Sequence, residues 1–87
     1  MGEDGPFQFP CIFPVKVFGH NESAFRDRAW GIVHRHYPEL SADQVSENVS
    51  RNGKFLSMTF TLEAQDRESL DELYQALSAD PQILMAL

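Results

Sequence analysis

From Cys11 the chain alternates, with Cys11, Phe13, Val15 and Val17 falling between Ile12, Pro14, Lys16 and Phe18. A period of two is that of an extended strand with opposite faces, and Pro14 removes one ladder donor from it. Gly19 follows, a residue free to take backbone conformations closed to others, and Asn21 or Ser23 is placed to cap the amides of a helix. Phe25, Ala29, Ile32, Val33 and His36 then recur at helical spacing, with Trp30 and Tyr37 widening the stripe. This spacing predicts a first helix over Glu22 to His36, facing a sheet. Pro38 disfavours helical geometry at Tyr37 and leaves Pro38 to Asp43 as a loop.

Asn52-Gly53 lies between two extended runs and is the dipeptide that most readily forms a type I′ hairpin turn. Centring a two-residue loop there sets Val49 opposite Leu56, Glu47 opposite Met58 and Val45 opposite Phe60, while Ser46, Asn48 and Ser50 meet Thr59, Ser57 and Phe55. The register divides an apolar face from a mostly polar one. Glu47 alone falls on the apolar side, which places it at the sheet margin or beside a bulge. The third strand ends near Ala64. Asp66 is set to cap a second helix that turns Leu70, Leu73, Tyr74 and Leu77 inward and Glu68, Asp71, Glu72 and Gln75 outward. Asp80-Pro81 stops that helix, and Gln82 to Leu87 has the length of a final strand.

The order is therefore βαββαβ. Two helices on one face of a four-stranded antiparallel sheet bury every apolar stripe, which is the α+β, two-layer ferredoxin-like sandwich. Right-handed crossovers put the first and third strands in the centre. Residues 1–6, with two glycines, two acids and a proline, read as a flexible tail, and residues 7–87 as one domain.

Composition narrows the classes of function. Hydrophobic residues make up 43% of 87, a globular proportion. Thirteen acidic residues against seven basic ones give a net charge of −6, which repels phosphate backbones and disfavours nucleic acid as a partner. No apolar run nears the roughly 20 residues needed to span a bilayer, and no lipidation motif is present, so no membrane partner is expected. Cys11, the single cysteine, cannot form an internal disulfide, and no secretory signal opens the chain; a cytoplasmic location is expected.

The words Phe9-Pro10-Cys11, Phe13-Pro14-Val15-Lys16-Val17-Phe18-Gly19, Arg35-His36-Tyr37-Pro38, Gly53-Lys54-Phe55-Leu56-Ser57 and Leu73-Tyr74 fall in order along the chain. Through them it resembles the YbeD-like family of small uncharacterised bacterial proteins, over nearly all of Phe7 to Leu87. The resemblance implies a ferredoxin-like fold similar to the ACT-type regulatory domains of amino-acid metabolism. It implies no activity and assigns no functional residue.

Two surfaces are candidates for binding. ACT-type domains commonly dimerise and hold small effectors near the loop after the first strand, where a glycine admits a ligand and helix amides attract an anion. Gly19, His20 and Asn21 occupy that loop, against the plainer reading of Gly19 as a tight-turn residue. The sheet face away from the helices should show Lys16, Phe18 and Phe55, with Leu84 or Met85 nearby, a candidate contact surface for a homodimer or an unidentified protein partner.

Other chemistries of this fold lack their residues. Asn52-Gly53-Lys54-Phe55 faintly resembles the start of an RNA-recognition motif, but Ser57 stands where a second aromatic is needed. A metal-chaperone pair after the first strand is missing, as is an arginine to cradle phosphate in Gly19-His20-Asn21-Glu22. His34 and His36, two apart on a helix, diverge and cannot share a metal as an i, i+4 pair does. His36 is expected at the core edge, and His34 and His20 in solvent. Arg28 and Arg35 are expected to pair with nearby Asp27 and Glu39. No nucleophile and base are matched, so the expectation is a non-enzymatic regulatory or adaptor module without cofactor or metal, acting by protein contact; the alternatives are an effector sensor and, further off, an RNA binder.

Overall fold

A computed structural model describes residues 10–87; the expected tail over residues 1–6 lies outside them. The order is β1 (Cys11–His20), α1 (Ser23–His36), a short 3-10 turn (Ala42–Gln44), β2 (Val45–Val49), β3 (Phe55–Ala64), α2 (Arg67–Ala79) and β4 (Met85–Ala86). The four strands form one antiparallel sheet in the order β2-β3-β1-β4, with the first and third strands central as the crossover rule predicts. The arrangement is ferredoxin-like.

Hydrophobic periodicity decides which face meets the helices. Val15 and Val17 of β1, and Leu56, Met58, Phe60, Leu62 and Ala64 of β3, are buried against Phe25, Ala29, Ile32 and Val33 of α1 and Leu70, Leu73 and Leu77 of α2. Leu40 and Ile83 close this single core from the connecting segments. The β2–β3 register is the expected one, Val45 to Phe60, Glu47 to Met58 and Val49 to Leu56. A slip of one residue would turn Leu56, Met58 and Phe60 into water, at about 2 kcal/mol for each large side chain. Glu47 stands at the sheet margin as expected, exposed on edge strand β2, with Arg26 Nε donating to its Oε1 at 3.2 Å.

Pro14 is tolerated in a central strand because of where its nitrogen faces. Lys16 exchanges both backbone hydrogen bonds with Leu87, and the Phe18 carbonyl accepts from Leu84, so alternate residues of β1 address β4. Pro14 continues that series beyond the last paired residue of β4, where no described strand needs its donor.

Several local expectations are corrected. Gly53 is the sole described residue with positive φ, at 76°; the loop between Ser50 and Phe55 is four residues long, not a two-residue type I′ turn, which needs positive φ at both centres. Asn52 instead accepts from the Lys54 amide and the Ser50 hydroxyl. β1 continues to His20, so Gly19 is an extended strand residue rather than a special turn residue. Helix α1 starts at Ser23 behind Glu22 and carries no side-chain cap, because Asn21 is engaged elsewhere. Asp66 does cap α2, its Oδ1 accepting from the Ser69 amide at 2.8 Å. β4 is cut to Met85–Ala86, since the Leu77–Asp80 and Asp80–Ile83 backbone turns occupy the first part of the expected strand.

Candidate functional site

The open sheet face gathers the second set of candidate residues. Phe18 pairs with Ser57 and His20 with Phe55, so Phe18 and Phe55 are diagonal neighbours on one face. Met85 lies beside Phe18 on β4, and Lys16 beside Leu87. Phe55 is 42% exposed, Met85 51% and Leu87 62%; Phe18 is half-buried and Lys16 exposed. The His20 ring stacks on Phe55 with centroids 5.4 Å apart. Leu84 is exposed too, one residue out of phase with Met85. The result is an apolar band around one cation, flanked by Ser57, Thr59 and Thr61.

The β1–α1 connection is built differently. Gly19 is buried, and a Cβ placed on it would come within 2.2 Å of the Phe25 ring, itself fully buried. Close approach of a core side chain, not backbone freedom, is what requires glycine here, and Phe25 fills the space that a ligand against Gly19 would need. Asn21 is stapled to the hairpin: its amide donates to the Lys54 carbonyl at 2.9 Å, its side-chain Nδ2 to the Gly53 carbonyl at 3.0 Å, and its Oδ1 accepts from Arg26 at 3.2 Å. His20 and Asn21 thus touch the hairpin, while Gly19 serves the core.

On the helical side, Arg28 pairs with Asp80, correcting the expected pairing with Asp27 or Glu39. Arg28 Nε donates to Asp80 Oδ2 at 2.9 Å and Nη2 reaches the same oxygen, while the Gln82 amide donates to Oδ1 at 2.9 Å. Asp27 adjoins Arg28 in sequence and so projects from another side of the helix, whereas Asp80 closes α2 next to it. The Arg28 guanidinium, and then the Gln82 amide, hold the Asp80 carboxyl below the ordinary aspartate range despite its burial. Burial raises Tyr74, whose hydroxyl donates to the Leu87 carbonyl at 2.7 Å. His36 Nδ1 lies 3.0 Å from the Ile32 carbonyl and exposed His34 stacks along Trp30, so the two imidazoles diverge. Among the described residues no three His, Cys, Asp or Glu side chains gather, and no helix is long and apolar enough to cross a membrane.

A cleft of about 480 Å³ opens where α1 ends and α2 begins, and sequence reasoning did not find it. Leu40 and Leu62 supply apolar walls; His36, Tyr37, Gln44, Gln65 and Ser69 line it with Glu39 and Glu63. The Tyr37 hydroxyl and Ser69 Oγ are hydrogen-bonded at 3.2 Å, tying the two helices, and Gln44 Nε2 donates to the Thr61 carbonyl at 2.9 Å. The available signal was the Arg35-His36-Tyr37-Pro38 word, three of whose residues line this cleft.

Comparison with known proteins places the chain. It is 37% identical over 87 residues, all of both chains, to UPF0250 protein NE1487 of Nitrosomonas europaea. It is 38% identical over 80 residues to a UPF0250 protein of Hahella chejuensis, covering 92% of this chain and 88% of that one. The solution structure of protein HP0495 from H. pylori superposes with a TM-score of 0.66 at 17% identity, over 98% of this chain and 89% of that one, a likeness of fold alone. The family model described as protein of unknown function (DUF493) matches residues 4–87, and the chain belongs to that family, the YbeD-like group of bacterial proteins.

Proposed function

We propose that this protein works by binding, as a non-enzymatic regulatory or adaptor module of the cytoplasm whose open sheet face meets a protein partner. The observation that carries the reading is the clustering of Phe18, Phe55, Met85 and Leu87 around Lys16, on the face that neither helix covers. Aromatic and methionine side chains are enriched at interface centres, and the flanking Ser57, Thr59 and Thr61 resemble a polar rim. The effector-sensor reading at Gly19, His20 and Asn21 has less support, since Phe25 occupies the helix side of Gly19 and Asn21 already spends its donors on the hairpin.

The test is capture of partners from the native cell by the wild-type chain and by a Phe18→Ser/Phe55→Ser variant, alongside sedimentation of each. Both side chains point away from the core, so the variant should keep its fold. A specific partner, or self-association, that disappears in the variant upholds the reading. Unchanged capture together with unchanged sedimentation removes the sheet face from consideration.

A further inference from the structure

We propose that Glu47 guards the outer margin of β2 against pairing with a second copy of this chain. The inference goes beyond the sheet-face reading, since it concerns the rim of the sheet and not the surface that Phe18 and Phe55 share.

The backbone defines what that margin offers. β2 is the outermost strand, and no described strand lies beyond it. The Ser50 amide donates to the Phe55 carbonyl at 2.8 Å, and in an antiparallel pair bonded residues alternate. Ser46 and Asn48 therefore address β3, opposite Thr59 and Ser57, while Val45, Glu47 and Val49 turn their backbone groups outward. The Val45 amide is taken by the Ala42 carbonyl; the amides of Glu47 and Val49 and the carbonyls of all three form a row that an antiparallel copy of itself would complement.

The side chains of the same three residues make a pattern with one exception. All stand on the helix side of the sheet, opposite Phe60, Met58 and Leu56. Val45 is half-buried and Val49 45% exposed, so an apolar residue between them would complete a stripe along the strand. β2 carries no proline and no lysine, residues that commonly blunt an edge. The bond from Arg26 to Glu47, 3.2 Å long with both side chains more than a third exposed, is screened and adds little to stability. What the carboxylate does change is the outcome of self-pairing. A copy related by two-fold symmetry can match more than one outward residue only by setting Glu47 against Glu47 or against a valine. The first brings two like charges together on backbones about 5.5 Å apart, and the second presses a charge onto methyl groups and strips its water.

Sedimentation velocity of the full-length chain tests this with the wild type, Glu47→Val and Glu47→Lys. Any association through the open sheet face is common to all three and drops out of the comparison. Glu47→Val should self-associate at least about tenfold more tightly than the wild type, with a melting temperature no lower, because valine suits a strand. Glu47→Lys keeps a charge in place and should match the wild type. In Glu47→Val/Val49→Pro one outward donor is gone from a margin where proline is tolerated, and association should return to the wild-type level. A sample mixing labelled and unlabelled Glu47→Val should show contacts between copies along residues 45–49. Equal association of Glu47→Val and the wild type overturns the proposal. So does a gain shared by Glu47→Lys, a gain that survives the proline, or contacts between copies that lie elsewhere.

Discussion

The two ends of the sandwich are made on opposite plans. At the β1–α1 end the chain is tied to itself: Phe25 fills the space over Gly19, Asn21 binds the hairpin twice, and both ion pairs among the described residues, Arg26–Glu47 and Arg28–Asp80, pin α1 to its surroundings. At the other end, Tyr37 and Ser69 touch across a cleft that leaves Glu39 and Glu63 without counter-ions. The lesson concerns where a fold can accept something new. The loop that the ACT-type resemblance singles out is packed against its own core, and the open space lies at the far end.

The comparison can be broken first at Gly19. Gly19→Ala forces its Cβ into the Phe25 ring and should lower unfolding free energy by about 3 kcal/mol, the upper part of the range for overpacking. Chemical denaturation measures it, and adding Phe25→Leu should recover part of the loss; a neutral Gly19→Ala would show that this end is not tightly filled. Asp80→Asn comes next. Because the folded carboxyl titrates below its ordinary value near 3.8, the ion pair stabilises the fold above that pH and stops doing so as pH falls through the lowered value. Wild type should therefore exceed Asp80→Asn in melting temperature at neutral pH, with the gap closing in strong acid. A gap independent of pH would assign Asp80 a packing role only.

At the open end, Asp66→Ala removes the cap of α2 and should cost about 1 kcal/mol, with amide exchange rising first at Ser69 beside the cleft. If exchange rises instead around Asn21 and Lys54, the two ends are coupled rather than independent. The smallest effect belongs to Glu47→Gln, which breaks a half-exposed ion pair with Arg26 and should change stability by less than about 0.5 kcal/mol. High salt should leave that variant and the wild type alike.

Patterning made the layers readable from residues alone. The β2–β3 register followed because a loop centred on Asn52-Gly53 sets Val49 opposite Leu56, and that alignment puts Val45, Val49, Leu56, Met58 and Phe60 on one face. Asp66 was legible as a cap because capping is local, reaching only to Ser69. The features missed depend on separation or on empty space. Arg28 and Asp80 are 52 residues apart and meet only once α1 and α2 are packed side by side. The reason for Gly19 is the position of Phe25 above it, which no local rule contains. The turn at Asn52-Gly53 misled because Asn52 satisfies neighbouring donors with its side chain and keeps ordinary φ. The cleft is a gap between the ends of elements, and a gap leaves no periodicity behind.

Pro14 carries a consequence for how copies of this chain behave at high concentration. β4 shields only the later part of β1, so the stretch before Lys16 offers a bare strand margin among the described residues. An unbroken row of donors there would invite another chain to dock edge to edge and seed fibrous growth. A proline set in that row lacks the hydrogen that such docking requires, while the strand behind it stays fully paired to β3.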